Sequence, residues 1–159
     1  MNEKHTISCL VENQFGVLAR VAGLIGARGF NIDSLTVSAT EDPTASRMTI
    51  VVDADAVKLE QVKRQLARLI EVIDVDELKD GAFIDRELLL ARVKASPAGR
   101  AQLEQLVQQA GGKIAEANGD DVVVEAMGST KQLDALVERL RAQGILQLVR
   151  TGRIALSKR

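Results

Sequence analysis

The sequence predicts an α+β fold built from two tandem βαββαβ units. Three observations carry that expectation. Apolar residues recur with strand and helix periods in the order strand, helix, strand, strand, helix, strand, and the order then runs a second time. Glycines and capping residues fall at the joints between segments. A turn-rich stretch, Lys79-Asp80-Gly81-Ala82, separates the two runs and sets expected domains of residues 1–79 and 80–159.

In the first half, Ile7-Ser8-Cys9-Leu10-Val11 suits a strand. Val17, Leu18, Val21, Leu24 and Ile25 then recur at helical spacing after Gly16, and Gly29 marks the stop. Phe30 to Thr40 is rich in β-branched residues and alternates at Leu35, Val37 and Ala39, as a strand does. Glu41-Asp42-Pro43-Thr44-Ala45 is a turn by its Asp-Pro content, and Arg47 to Asp53 returns as a strand. Leu59, Val62, Leu66 and Leu69 form one face of a second helix. Val72 to Leu78 closes the unit, completing the split βαβ, or ferredoxin-like, pattern.

The second half repeats the order without repeating the residues. Leu88 to Val93 is a strand. Ser96-Pro97 predicts an N-cap followed by proline at the first helical position, and Leu103, Leu106, Val107 and Ala110 give the helix its apolar face. Gly111-Gly112 ends it. Lys113 to Ala117 and Val122 to Met127 are strands around an Asn118-Gly119 turn. Ser129-Thr130-Lys131-Gln132 fits a capping box and opens a helix through Leu133, Leu136, Val137 and Leu140. Gly144 ends that helix, and Ile145 to Ala155 is expected as one last strand.

Composition narrows the function. Of 159 residues, 46% are apolar and 27% charged, too apolar for disorder. No apolar run reaches the roughly 18 residues of a membrane span. The start, Met1-Asn2-Glu3-Lys4-His5-Thr6, lacks the layout of a signal peptide, which sets a cytoplasmic expectation. Three Phe, no Tyr, no Trp and a net charge of −1 disfavour base stacking and attraction to phosphate, hence nucleic acid. The single Cys9 and single His5 leave neither a disulfide framework, nor a typical metal site, nor a histidine-based triad. No catalytic residue and no cofactor of its own are expected for this chain. Both faces of several strands carry apolar side chains, so self-association, in its commonest form a homodimer, is expected to cover them.

The glycines at 16, 23, 26 and 29 match neither the dinucleotide fingerprint nor the phosphate loop. Gly23 and Gly26 lie inside a predicted helix, where they point to close packing against a sheet or a partner chain, or to ligand contact. Asn13-Gln14-Phe15-Gly16-Val17-Leu18 joins a strand end to a helix start, where free backbone N–H groups and the helix dipole favour an anion. Asn13 can cap that helix or reach a ligand. Asn31, after Gly29-Phe30, is a turn residue or an acceptor for an ammonium group. Taken together, these groups form a receptor for a free α-amino acid. Glu71, Asp74, Asp76, Glu77, Asp80 and Asp85 read as a solvated acidic edge. Arg139, Arg141, Arg150, Arg153, Lys158 and Arg159, with no acid among them, form a solvated basic end or a dock for an acidic partner. His5 and Cys9, on alternating strand positions, read as packing.

Two longer strings carry a resemblance. Asn13-Gln14-Phe15-Gly16-Val17-Leu18-Ala19-Arg20-Val21 resembles the ligand loop of an ACT domain, the amino-acid-sensing module of biosynthetic enzymes. Arg28-Gly29-Phe30-Asn31-Ile32-Asp33-Ser34-Leu35-Thr36-Val37, with Asp42-Pro43-Thr44-Ala45-Ser46-Arg47-Met48-Thr49-Ile50, resembles the small regulatory subunits of acetolactate synthase. Arg86-Glu87-Leu88-Leu89-Leu90 and Arg150-Thr151-Gly152-Arg153-Ile154-Ala155-Leu156-Ser157 extend the likeness over the chain. The resemblance implies a non-catalytic subunit that activates a large catalytic subunit and confers feedback inhibition by valine or another branched-chain amino acid. That partner would hold thiamine diphosphate, magnesium and FAD and condense pyruvate to acetolactate. By position, the implied effector contacts are Asn13, Gly16, Val17, Leu18, Asn31 and Ile32, shared between two chains of a dimer. An amino-acid-sensing transcription regulator would need a DNA-reading helix, and none flanks the repeats. A small enzyme would need a nucleophile or metal set.

Overall fold

A computed structural model describes residues 3–158; Met1, Asn2 and Arg159 lie outside them. The chain divides into two units, one of Met1–Ile84 with Arg153–Arg159 and one of Asp85–Gly152. Among the described residues, no helix is long and apolar enough to cross a membrane.

The first unit contains β1 (Glu3–Glu12), α1 (Val17–Ala27), β2 (Ile32–Ala39), β3 (Ala45–Ala54), α2 (Ala56–Leu66) and β4 (Val72–Leu78). Its antiparallel sheet has the order β2-β3-β1-β4. Strand alternation sends Ile7, Cys9 and Val11 of β1 and Met48, Ile50 and Val52 of β3 to one face. There they pack on Val17, Val21 and Ile25 of α1 and on Leu59, Val62 and Leu66 of α2. The Asp55 carboxylate accepts from the Lys58 N–H at 2.8 Å and starts α2. Leu69 falls beyond α2, in the turn after it, yet still packs on this core. Leu18 points outward from α1, at 42% exposure.

The other face of this sheet departs from expectation. Thr6, Ser8 and Thr49 are polar and buried on it. The predicted last strand, Ile145 to Ala155, is two strands, β8 (Ile145–Arg150) and β9 (Ile154–Ser157). Gly152 breaks the run with φ 88°, a left-handed conformation that only glycine adopts cheaply. The chain then returns to the first unit. Arg153 donates its N–H to Ser34 Oγ at 2.9 Å and accepts from Thr36 Oγ1 at 2.9 Å. Its guanidinium donates to Thr6 Oγ1 and lies 5.8 Å from the centre of the Phe83 ring. The Lys158 N–H donates to the Ala82 carbonyl at 2.8 Å. The units therefore differ from a simple 1–79 and 80–159 division: the cut falls at Ile84/Asp85, and the last residues belong with the first unit.

The second unit contains α3 (Arg100–Gln109), β6 (Lys113–Asn118), β7 (Asp121–Gly128), α4 (Thr130–Arg141) and β8, with most of β5 (Phe83–Lys94). Its sheet order is β6-β7-β5-β8. Leu89, Ala91 and Val93 of β5 and Val122, Val124 and Ala126 of β7 pack on Leu103 and Val107 of α3 and on Leu133, Leu136 and Leu140 of α4. Ser129 and Gln132 form the expected reciprocal capping box. Ser96-Pro97 does not start α3. The Ser96 hydroxyl and carbonyl both accept from the Gly99 N–H, at 3.3 and 2.9 Å, which closes a turn, and the helix begins one residue after Gly99. Asn118 pairs with Asp121, so the hairpin loop is Gly119-Asp120.

Candidate functional site

Asn13 follows the last residue of β1, and its N–H and one Nδ2 hydrogen are engaged by the neighbouring turn. Its N–H donates to the Thr44 carbonyl at 2.7 Å and its Nδ2 to the Pro43 carbonyl at 3.0 Å. It does not cap α1. That position belongs to Gly16, with φ 81° and no side chain to offer, so no side chain caps the N-terminus of α1. The first N–H groups of α1, from Val17 and Leu18, are thus left to a ligand or to water, at the positive end of the helix dipole. Val17 is buried in the core and contributes backbone; Leu18 projects outward beside it. Asn13, Gln14 and Phe15 line an open depression at this end, with Phe15 wholly exposed.

Asn31 and Ile32 lie elsewhere. Ile32 opens β2 opposite Val52, which in turn faces His5 at the start of β1, whereas Asn13 adjoins the Glu12–Ala45 end. The two groups sit at opposite ends of α1, whose 11 residues span roughly 16 Å. One chain does not bring them within reach of one amino acid. Asn31 donates its Nδ2 to Asp33 Oδ1 at 3.2 Å, which leaves the amide oxygen as the atom an ammonium would meet. Ile32 is half-buried against the core.

Sequence reasoning missed several supporting residues. Asp33 orients Asn31 and is itself held by Lys4 Nζ at 3.0 Å; an Asn-x-Asp spacing was the available signal. Thr44 donates its hydroxyl and N–H to Asp42, holding that carboxyl below its ordinary range and fixing the turn that grips Asn13. Glu71 pairs with Arg20 of α1, and its carbonyl accepts from the Glu12 N–H at 2.8 Å.

The outer surface of α1 is its second distinguishing feature. Arg20 is the only polar side chain on the helix. A Cβ built at Gly23 or Gly26 would have nothing within 4 Å, so packing within the chain does not explain either glycine. His5 Nδ1 lies 3.1 Å from Glu77 Oε1, and Lys63 Nζ lies 3.4 Å from Glu77 Oε2, so the acidic edge is partly paired. Arg150 pairs with Glu87 and Asp134, and Arg141 with Glu138, so the basic end finds acids outside its own stretch. Burial pushes the Cys9 thiol up to about 11.

A family model described as an AHAS small subunit-like ACT domain matches residues 7–74, and one described as the small subunit of acetolactate synthase matches residues 86–159. The chain belongs to the acetolactate synthase small-subunit family. It is 46% identical over 153 residues to a probable acetolactate synthase small subunit of Archaeoglobus fulgidus, covering 96% of each chain. It is 39% identical to the isozyme 3 small subunit of Salmonella typhimurium, covering 98% of this chain and 96% of that one. The crystal structure of the small subunit from Thermotoga maritima superposes with a TM-score of 0.88 at 31% identity, covering 99% and 98%. The first unit of this small subunit is accordingly an ACT domain, and both units have the ferredoxin-like order the sequence predicts.

Proposed function

We propose that this small subunit is a regulator that binds the large catalytic subunit of acetolactate synthase in the cytoplasm, raises its turnover, and confers feedback inhibition by valine or another branched-chain amino acid. The thiamine diphosphate, magnesium and FAD of the reaction belong to that partner. The effector site is shared by two chains of a homodimer. Asn13, Gly16, Val17 and Leu18 of one chain receive the carboxylate, and Asn31 and Ile32 of the other receive the ammonium and side chain.

The observation that carries this reading is the separation of the two groups along α1. A carboxylate at the uncapped helix start and an ammonium at Asn31 belong to one small molecule only if a second chain supplies the other end. The outer surface of α1, apolar but for Arg20 and with Gly23 and Gly26 unexplained, supports such a contact, because a largely apolar helix surface is normally covered.

The test is a valine titration of the reconstituted enzyme. Gly16→Asp puts a negative charge where the carboxylate belongs, and Asp at φ 81° is also strained. Asn31→Ala, at an exposed position free of that strain, removes a bond to a charged group worth ~1.5–3 kcal/mol, roughly ten- to hundred-fold in affinity. Both variants should still activate the catalytic subunit while resisting valine. Wild-type valine sensitivity in the Asn31→Ala complex would overturn the site. Sedimentation of the isolated chain as a monomer at micromolar concentration would overturn the shared arrangement.

A further inference from the structure

We propose that the first unit carries a second small-molecule site, on the face of its sheet away from α1 and α2, that takes a small α-amino acid as the zwitterion. A cleft of about 210 Å³ lies there, with Ser8, Arg47, Asp74 and Asp76 on the sheet side and Ala155 to Ser157 of β9 as the opposing wall. Strand register fixes the charges. Leu10 stands opposite Arg47 on β3 and opposite Asp74 on β4; Ser8 stands opposite Thr49 and Asp76. One cation and two carboxylates therefore face one cleft from strands two spacings apart, roughly 9–10 Å.

These charges do not close on each other. Arg47 Nη1 donates to Ser8 Oγ at 2.9 Å. Among the described residues, no ion pair joins Arg47 to Asp74 or Asp76, and neither aspartate is paired elsewhere. A guanidinium and two carboxylates held apart across a cleft form a dipolar socket. A ligand carboxylate fits the guanidinium, the residue type best shaped for it. Its ammonium, with three donors, fits the aspartate pair. A simple anion would also face the two aspartates, and a simple cation would also face Arg47; a zwitterion satisfies both ends. At about 210 Å³ the cleft has room for an amino acid with a short side chain only.

The experiment is an amide-resolved NMR titration of the full chain carrying Gly16→Asp, which removes the effector site proposed above and keeps the two readings separable. Glycine, L-alanine and L-serine are the probes, with acetate and ethylammonium as the two half-ligands. Expected are saturable shifts at Ser8, Arg47, Asp74, Asp76 and Ala155 to Ser157 for at least one amino acid. Either half-ligand should bind at least tenfold more weakly. Arg47→Gln and the double variant Asp74→Asn/Asp76→Asn should each weaken binding about tenfold or more; all three positions are exposed, and an unchanged spectrum elsewhere shows that the fold is kept. The proposal is overturned if no amino acid gives saturable shifts at these residues at millimolar concentration. It is overturned equally if Arg47→Gln binds as well as the parent, or if a half-ligand does.

Discussion

The two units share an order of elements and differ in what covers the sheet face away from the helices. In the first, that face carries Thr6, Ser8 and Thr49, and the returning segment after Gly152 fastens there through Arg153. In the second, the same face carries Leu88, Leu90, Met127 and Val149, all at least 39% exposed. The helices reverse the contrast. The first helix of the first unit is apolar on its outer surface, whereas α4 is amphipathic and firmly capped. One topology thus leaves apolar surface in different places. A sheet face that mixes Thr6, Ser8 and Thr49 with buried Val51 and Leu78 is closed by a segment of the chain itself, which adds hydrogen bonds from Arg153. A largely apolar exposed helix or sheet face needs another surface.

The largest effects should come from the two cores, and they test whether the units are separate. Ile50 and Leu89 are fully buried, one in each core. Ile50→Ala and Leu89→Ala should each cost ~2–5 kcal/mol. Hydrogen exchange should show the loss concentrated in the unit that carries the change. Equal loss of protection in both units after either change would show that the two cores unfold as one.

The clamp comes next. Arg153→Ala removes a charged hydrogen bond to Thr6, worth ~1.5–3 kcal/mol. Faster exchange should follow on β1 and β2, with β5 to β7 unaffected. Unchanged protection of β1 would mean that the covering segment contributes little to the first unit.

Glycine substitutions sharpen the contrast further, because their signs should differ. A Cβ at Gly112 would meet the Glu125 carbonyl oxygen at 2.6 Å and Val107 Cγ1 at 2.9 Å, so Gly112→Ala should destabilise by ~1–3 kcal/mol. Gly23 has open space, and Gly23→Ala should stabilise α1 by up to ~1 kcal/mol in the monomer while weakening self-association. Thermal melts and sedimentation of both variants check the pair.

At neutral pH the smallest effect concerns Cys9. Burial raises its thiol from an ordinary 9.0 to about 11, so the folded state resists losing that proton. The contribution is fully present below pH 9 and is lost as pH rises toward about 11. Below that window Cys9 should react with a thiol reagent only on unfolding; rapid labelling of the folded protein at neutral pH would contradict its burial.

Much of this protein was legible in the sequence because its signals are local. Periodicity located every helix and most strands, Ser129 to Gln132 declared their capping box, and Val72 to Leu78 was bounded correctly at both ends. Local signals also singled out the loop before Val17, leaving open whether Asn13 caps the helix, and set Asn31 beside a strand start. They failed where two local rules compete. Ser96-Pro97 has the composition of a helix start, yet the same hydroxyl closes a turn onto Gly99.

Other features were decided only by tertiary structure. The sequence alone could not tell that Arg153 leaves the last strand to bond Ser34, Thr36 and Thr6, because those partners lie over a hundred positions away and no period links them. Nor could it tell that Arg47, Asp74 and Asp76 face one cleft. Element type follows from residues a few positions apart, which sequence displays directly. Which side chains meet depends on strand order and register, and those are fixed by burying two cores at once.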